Sequence, residues 1–221
     1  MKLAYEFFST VIETSEQMVA GIVVENPSAL YKFLSNLRAA SEGHESPVVL
    51  SCGDRVENFS KKVDLLTDFI RFDLNQKSLL TKVIASMDQL SENEAFYERS
   101  RQLLSQIETL LLDMAVGLSC DFVCEKLSMQ SVIKAAGISL VDDSTLLEER
   151  ILTYMNLARD FLGKKIFILV NVRGLIPYSN LQLMTDTALL REHELIYVDN
   201  QEYPKLKQEK RLVIDADLCE I

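Results

Sequence analysis

Two short segments of this sequence have residue types that could bind phosphate groups. Residues 25–28 (Glu-Asn-Pro-Ser) follow an apolar run that suits a buried strand, and residues 163–165 (Gly-Lys-Lys) precede another. A phosphate-binding loop needs glycines whose N–H groups cradle the phosphates, a lysine that contacts them and a Ser or Thr that holds Mg²⁺. The first segment has no glycine, and the second lacks both the earlier glycine and the Ser or Thr. We therefore expect no bound nucleotide, and a cryptic nucleotidase is the least favoured alternative.

Carboxylates and cysteines that could hold a catalytic metal ion are also poorly placed. A metal-dependent nuclease needs several converging carboxylates, whereas residues 142–143 and 148–149 are acidic pairs at a predicted helix start, where they favourably meet the helix dipole. Cys120 and Cys124 are four residues apart, but the two histidines lie far from them in the sequence, so a zinc site lacks evident ligands. The sequence thus predicts a protein that is not an enzyme.

The elements that position these residues alternate between strand and helix at both ends of the chain. Asn26 and Pro27 are typical of an N-cap and first position of a helix, and Asn75 is expected to cap another helix. Apolar or alternating runs predict strands at residues 2–8, 18–24, 47–51, 63–69, 166–170, 195–198 and 211–215. These runs predict an α/β fold with a parallel-rich sheet.

The middle of the chain is predicted to be helical. Phe96, Leu103, Ile107, Leu110 and Met114 recur at helical spacing between residues 91 and 117. A similar stripe follows in residues 147–161, so the two helices are expected to pair antiparallel. The predicted domains are an α/β head, residues 1–83 and 165–221, and an α-helical leg, residues 84–164.

Three segments carry a resemblance to a known family. Residues 66–75 (LTDFIRFDLN), 132–138 (VIKAAGI) and 163–171 (GKKIFILVN) resemble, in order and spacing, the accessory adaptation protein of type II-A CRISPR systems. The resemblance implies a head related to P-loop nucleotide-binding proteins and a homotetrameric ring whose channel takes double-stranded DNA ends without sequence preference. It also implies bound calcium near the legs, and a role in spacer acquisition beside the CRISPR integrase complex and the RNA-guided effector nuclease.

Calcium is the part of this resemblance that the residues of the sequence match least. Asp121 and Glu125 fall on positions that are acidic in the family, but Met114, Gly117, Ser119 and Val123 occupy other positions that are acidic there. Calcium takes six to eight oxygen ligands, and two carboxylates make a weak site. Either the calcium sites are weak or apolar contacts between legs hold the ring, and we favour the second interpretation.

Basic residues are the candidates for DNA contact. Because the net charge is −10, a generic nucleic-acid binder is not expected, but in a four-fold ring each inward lysine occurs four times. Lys134 matches a lysine of the family, and Lys126 stands where relatives are acidic. The full set of candidates is Arg55, Lys61, Lys62, Lys77, Lys82, Lys126 and Lys134. The alternatives are that these side chains are merely a solvated surface, and that the protein is a scaffold of the adaptation complex that does not touch DNA.

Signals for a membrane or for export are absent from the pattern. Residues 1–8 lack the apolar core of a signal peptide, and no window approaches the roughly 20 apolar residues of a membrane span. We therefore expect a cytoplasmic protein with no membrane partner.

Overall fold

The chain forms two compact units in a computed structural model that describes residues 1–118, 123 and 126–221. The first unit comprises Met1–Phe72 and Asp143–Ile221, and the second comprises Asp73–Asp142. The strands are β1 (Lys2–Tyr5), β2 (Ile12–Glu13), β3 (Val19–Val24), β4 (Val48–Cys52), β5 (Arg55–Glu57), β6 (Val63–Leu66), β7 (Ile166–Val170), β8 (Glu194–Asp199) and β9 (Glu209–Ile214). The α-helices are α1 (Pro27–Ser41), α2 (Phe59–Lys62), α3 (Lys77–Ser91), α4 (Glu94–Ala115), α5 (Met129–Ala135), α6 (Leu147–Leu157) and α7 (Tyr178–Leu190).

A five-stranded parallel sheet is the centre of the first unit. Its order is β6-β7-β8-β3-β9, and every neighbouring pair is parallel. All residues of β3, β7 and β8 are buried, as expected for parallel strands covered on both faces. The predicted α/β class and parallel-rich sheet are confirmed.

A smaller antiparallel sheet, in the order β2-β1-β4-β5, belongs to the same unit. The predicted strands at residues 2–8 and 47–51 form β1 and β4 of this sheet, with Leu3 opposite Leu50. These two leucines join Phe33 and Leu37 of α1 in a core that covers one face of the parallel sheet. The small sheet and α1 are therefore one layer of the first unit.

Helices α6 and α7 lie in the first unit and pack against each other. Ile151 and Tyr154 of the stripe predicted in residues 147–161 are buried, as is the neighbouring Met155, and a π-helical turn, Ala158–Leu162, follows α6. Since α4 lies in the second unit, the apolar stripes of α4 and α6 belong to different units. The expectation that α4 and α6 pair antiparallel is therefore corrected, because the apolar face of α6 is buried within the first unit.

The second unit consists of α3, α4 and α5. Helix α3 packs against α5, and Leu74, Leu79 and Ile133 are buried. Asn75 does not cap α3, because its side chain accepts a hydrogen bond from Leu140 N (2.7 Å) and donates one to Leu140 O (3.1 Å), while Gln76 stands at the N-cap. The compact units thus divide at residues 72/73 and 142/143, whereas the predicted domains divide at 83/84 and 164/165.

Candidate nucleic-acid interface

Three of the predicted DNA contacts lie in the first unit. Arg55 is exposed on β5, Lys61 is exposed on α2, and Lys62 is half-buried beside it. Asn58 Oδ1 accepts from Lys61 N at 3.0 Å and so caps this short helix. The backbone oxygen of Lys62 accepts from the N–H of Lys165 (2.9 Å), which ties the end of α2 to the start of β7. The local fold therefore holds the backbone of Lys61 and Lys62 and leaves the Lys61 side chain in solvent.

The other four candidates lie in the second unit. Lys77 and Lys82 are exposed on α3, Lys126 is exposed before α5, and Lys134 is exposed on α5. Lys134 Nζ donates to Gln130 Oε1, one helical turn earlier, at 3.1 Å. Among the described residues, no carboxylate oxygen lies within 4.0 Å of any of the seven basic groups. Their charges are thus not neutralised by an ion pair within that part of the chain.

The candidate calcium ligands fall outside this description. Asp121 and Glu125 are not among the described residues, and neither are Cys120 and Cys124. Within residues 1–118, 123 and 126–221, no group of three or more His, Cys, Asp or Glu side chains could hold a metal ion. The calcium prediction therefore stays a prediction.

The start of α1 shows what replaces a phosphate loop at the end of β3. Asn26 Oδ1 accepts from Ser28 N and Ala29 N, both at 3.1 Å, and Asn26 Nδ2 donates to Ala216 O at 3.0 Å. Pro27, at the first helical position, has no N–H. The predicted N-cap is confirmed, and a side chain of the protein occupies the amides that would otherwise face an anion.

The second phosphate-like segment, residues 163–165, is also engaged by the fold. Gly163 adopts a left-handed conformation (φ 70°) where the π-helical turn ends. Lys164 Nζ donates to Ser60 O and Val63 O, both at 2.7 Å. Burial lowers the pKa of Lys164, against the opposing effect of Asp64. This lysine therefore holds α2 and β6 instead of pointing at a ligand.

A buried cluster of charged residues on the parallel sheet was not predicted from the sequence. Arg173, which follows β7, pairs with Asp199 Oδ2 through Nε (2.9 Å) and with Glu209 Oε2 through Nη1 (3.0 Å). Arg211 Nε donates to Glu209 Oε1 at 2.6 Å. The Arg173 guanidinium also lies over the Tyr197 ring, 4.6 Å from its centroid. Two arginines and two carboxylates thus share one buried site.

Gly21 makes room for this cluster. A Cβ at position 21 would collide with Glu209 Oε1 and lie 3.3 Å from Arg173 Nη2. Glycine within an otherwise apolar strand marks a place where other groups approach the backbone closely. This glycine was the available sequence signal, but it does not identify the groups that approach.

The two carboxylates of the cluster respond differently to burial. Burial raises the pKa of Asp199 to about 6, although Arg173 opposes the rise. Burial acts in the same direction on the pKa of Glu209, but hydrogen bonds from Arg211 and Arg173 lower it overall. Glu209 is thus the firmly ionised partner of the arginines, and Asp199 is the group that titrates.

Comparison with known proteins gives a family and a fold. A family model described as CRISPR-associated protein (Cas_Csn2) matches residues 42–218. The crystal structure of Stu0660 of Streptococcus thermophilus is similar with a TM-score of 0.58 and 13% identity, over 97% of this chain and 75% of that one. A putative ABC transporter ATP-binding protein from Pyrococcus furiosus has a TM-score of 0.39 and 11% identity, over 96% and 94% of the two chains. No curated protein matches significantly.

Among the described residues, none of the helices combines the length and apolar character needed to cross a bilayer.

Proposed function

This chain belongs to the Cas_Csn2 family of CRISPR-associated proteins, and we propose that it binds double-stranded DNA ends during spacer acquisition without catalysing a reaction. The observation that carries the proposal is the set of seven basic side chains that no carboxylate of the described residues neutralises. Phosphate contacts made by such groups are indifferent to base sequence. The proposed partners are duplex DNA, the CRISPR integrase complex and the RNA-guided effector nuclease, in the cytoplasm.

A homotetrameric ring is the second part of the proposal, and helix α4 supports it. None of the 22 residues of α4 is buried, and its stripe exposes Leu110 (59%) and Met114 (66%). A large exposed apolar face is typical of a protein interface. In a ring, each channel-facing lysine would occur four times, which concentrates positive charge within an acidic particle.

Apolar leg contacts, and not calcium, are proposed to hold this ring. Asp121 and Glu125 would supply few of the six to eight oxygens that calcium takes, so calcium bound there would be weak. We likewise propose that neither phosphate-like segment, residues 25–28 or 163–165, binds a nucleotide, since Asn26 occupies the α1 amides and Lys164 is engaged with backbone carbonyls.

The test is an electrophoretic shift with linear and covalently closed circular duplexes of equal length, in calcium and in chelator. The proposal expects retention of the linear duplex alone, by a particle of about four subunits, with no loss in chelator. The double variant Lys61→Glu/Lys62→Glu should weaken retention about tenfold or more. Lys205→Glu/Lys207→Glu, the same charge change on exposed residues before β9, is the matched control.

Each contrary result points to a different alternative. Equal retention of both duplexes would contradict threading over ends, and retention of neither would favour the scaffold that does not touch DNA. Equal effects of the two double variants would show that net charge, and not a surface at Lys61 and Lys62, sets the affinity. Release of phosphate from ATP would revive the nucleotidase alternative.

A further inference from the structure

A groove of about 510 Å³ opens in the first unit where α1 begins. Its walls are aromatic and aliphatic, and include Tyr5, Phe7, Phe8, Ile214 and Leu218. Small-molecule sites are typically concave, mostly apolar and of about 300–1,000 Å³, with a few polar groups that orient the ligand. The groove therefore has the size and the composition of a small-molecule site.

The aromatic wall of the groove is held in place by contacts with buried residues and with α1. Tyr5 is buried, its hydroxyl accepts from Asn36 Nδ2 (3.0 Å), and its ring lies 4.9 Å from those of Phe8 and Phe33. Phe7 meets Tyr5 edge-on at 5.2 Å but is 54% exposed. The fixed wall thus presents one ring, Phe7, of which about half remains exposed.

Lys32 supplies the positive charge of the groove. Its Nζ lies 3.7 Å from the centroid of Phe7, and no carboxylate among the described residues lies within 4.0 Å of it. Ser28, which also lines the groove, precedes Lys32 by one helical turn, so both side chains lie on the same side of α1. The groove therefore has an ammonium beside an exposed aromatic ring, and a hydroxyl one helical turn away on the same side of α1.

The remaining polar groups of the lining are already engaged. Glu220 Oε2 accepts from Ser9 Oγ at 2.6 Å, and the Asn26 amide is bound to α1 and to Ala216 O. These contacts fix residues 216–220 at the edge of the groove. The groups available to contact a ligand are therefore the aromatic wall, Lys32 and Ser28.

We propose that this groove binds a planar aromatic molecule that carries one anionic group. The ring contacts Phe7, and the anion accepts hydrogen bonds from Lys32 Nζ and Ser28 Oγ. A polyphosphate is disfavoured, because Asn26 occupies the α1 amides and the Glu220 carboxylate adds negative charge to the lining. None of the residues proposed to contact duplex DNA lines the groove, and the proposal does not depend on that function.

Isothermal titration calorimetry of the full chain tests this assignment, with phenylacetate and thymidine 5′-monophosphate as anionic aromatic probes. Their neutral counterparts, phenylacetamide and thymidine, should bind about tenfold more weakly, as should the anionic probes to Lys32→Met, since each comparison removes a charge-assisted hydrogen bond. Lys32→Arg should retain binding. Phe7→Ala should weaken all four probes, and Lys207→Met is the control for charge alone.

The two anionic probes distinguish the sources of the ligand. Binding of phenylacetate would indicate a free aromatic acid, whereas binding of the nucleotide alone would indicate a nucleotide, free or at the end of a DNA strand. Failure of both anions to bind at millimolar concentration would overturn the proposal. So would equal binding of charged and neutral probes, or no effect of Lys32→Met in a variant whose thermal melt is unchanged.

Discussion

Burial raises the pKa of Asp199 even though this residue forms an ion pair with Arg173. Its pKa is about 6 in the folded chain against an ordinary 3.8, so the native state binds this proton more tightly than the unfolded state does. Its contribution to the free energy of unfolding therefore falls as pH rises from about 4 to 6, by roughly 3 kcal/mol at most. Burial of the carboxylate outweighs the attraction of Arg173.

Asp199→Asn is therefore expected to be no less stable than the parent at pH 7.5. Its free energy of unfolding, relative to that of the parent, should increase as pH rises from 4 to 7. Denaturant melts across this range measure the effect. Glu209→Gln is the contrast, because the pKa of Glu209 is lowered in the fold. That variant should lose stability at pH 7.5. A clear loss of stability in Asp199→Asn at pH 7.5 would show that the ionised pair with Arg173 is net favourable.

His193 gives the opposite pH trend in the same melts. It is buried, its Nε2 lies 3.0 Å from Asn156 Oδ1, and burial, with smaller effects of Arg159 and Arg191, lowers its pKa from 6.5 to about 4. The unfolded chain thus binds this proton more tightly. Stability due to neutral His193 is present above pH 6.5 and is lost as pH falls towards 4. His193→Gln should therefore flatten the acid side of the stability curve.

At the scale of elements, helix α4 is set apart by the absence of buried residues. An amphipathic helix with no partner for its apolar stripe is expected to find one in another molecule. Because no residue of α4 is buried, the stripe can be changed with little cost to folding.

Leu110→Glu/Met114→Glu is accordingly expected to reduce the mass of the particle in solution while leaving the helical circular dichroism signal intact. Ser105→Glu/Thr109→Glu, on exposed positions of the opposite side of α4, adds the same charge and should leave the mass unchanged. Light scattering measures both. If the stripe variant kept the parent mass in chelator, apolar leg contacts would not be what holds the assembly.

At the scale of the molecule, a net charge of −10 must be reconciled with DNA binding. Local clusters of basic groups can attract phosphate even in an acidic particle, provided that salt does not screen them. Repulsion between the acidic exterior and DNA also disfavours non-specific wrapping. The proposed function therefore depends strongly on ionic strength.

Affinity for linear duplex is expected to fall steeply between 50 and 200 mM salt, by about a thousandfold or more if six or more phosphates are contacted. Lys61→Glu/Lys62→Glu should also make the plot of log affinity against log salt shallower, because phosphate contacts are lost. Fluorescence anisotropy with labelled duplex measures both quantities. A salt-independent affinity would exclude phosphate contacts as the basis of binding.

The local features of this protein could be predicted from its sequence. The apolar runs of β3, β7 and β8, the Asn26 cap with Pro27 and the stripe of α4 are read from neighbouring residues, because propensity, capping and periodicity act over a few positions. The ordered segments that resemble the family were equally visible in the sequence. The candidate basic residues were also found this way, but their common role stays a prediction.

Contacts between distant residues could not be predicted from the sequence and are set by tertiary packing. Asn75 binds Leu140, α6 buries its stripe within the first unit, and Arg173 joins Asp199 and Glu209 over Gly21. Each of these contacts joins positions far apart in the chain, where local propensity carries no information about the partner. Burial then sets the protonation of Asp199 and His193, since a pKa depends on the surroundings that the whole fold assembles.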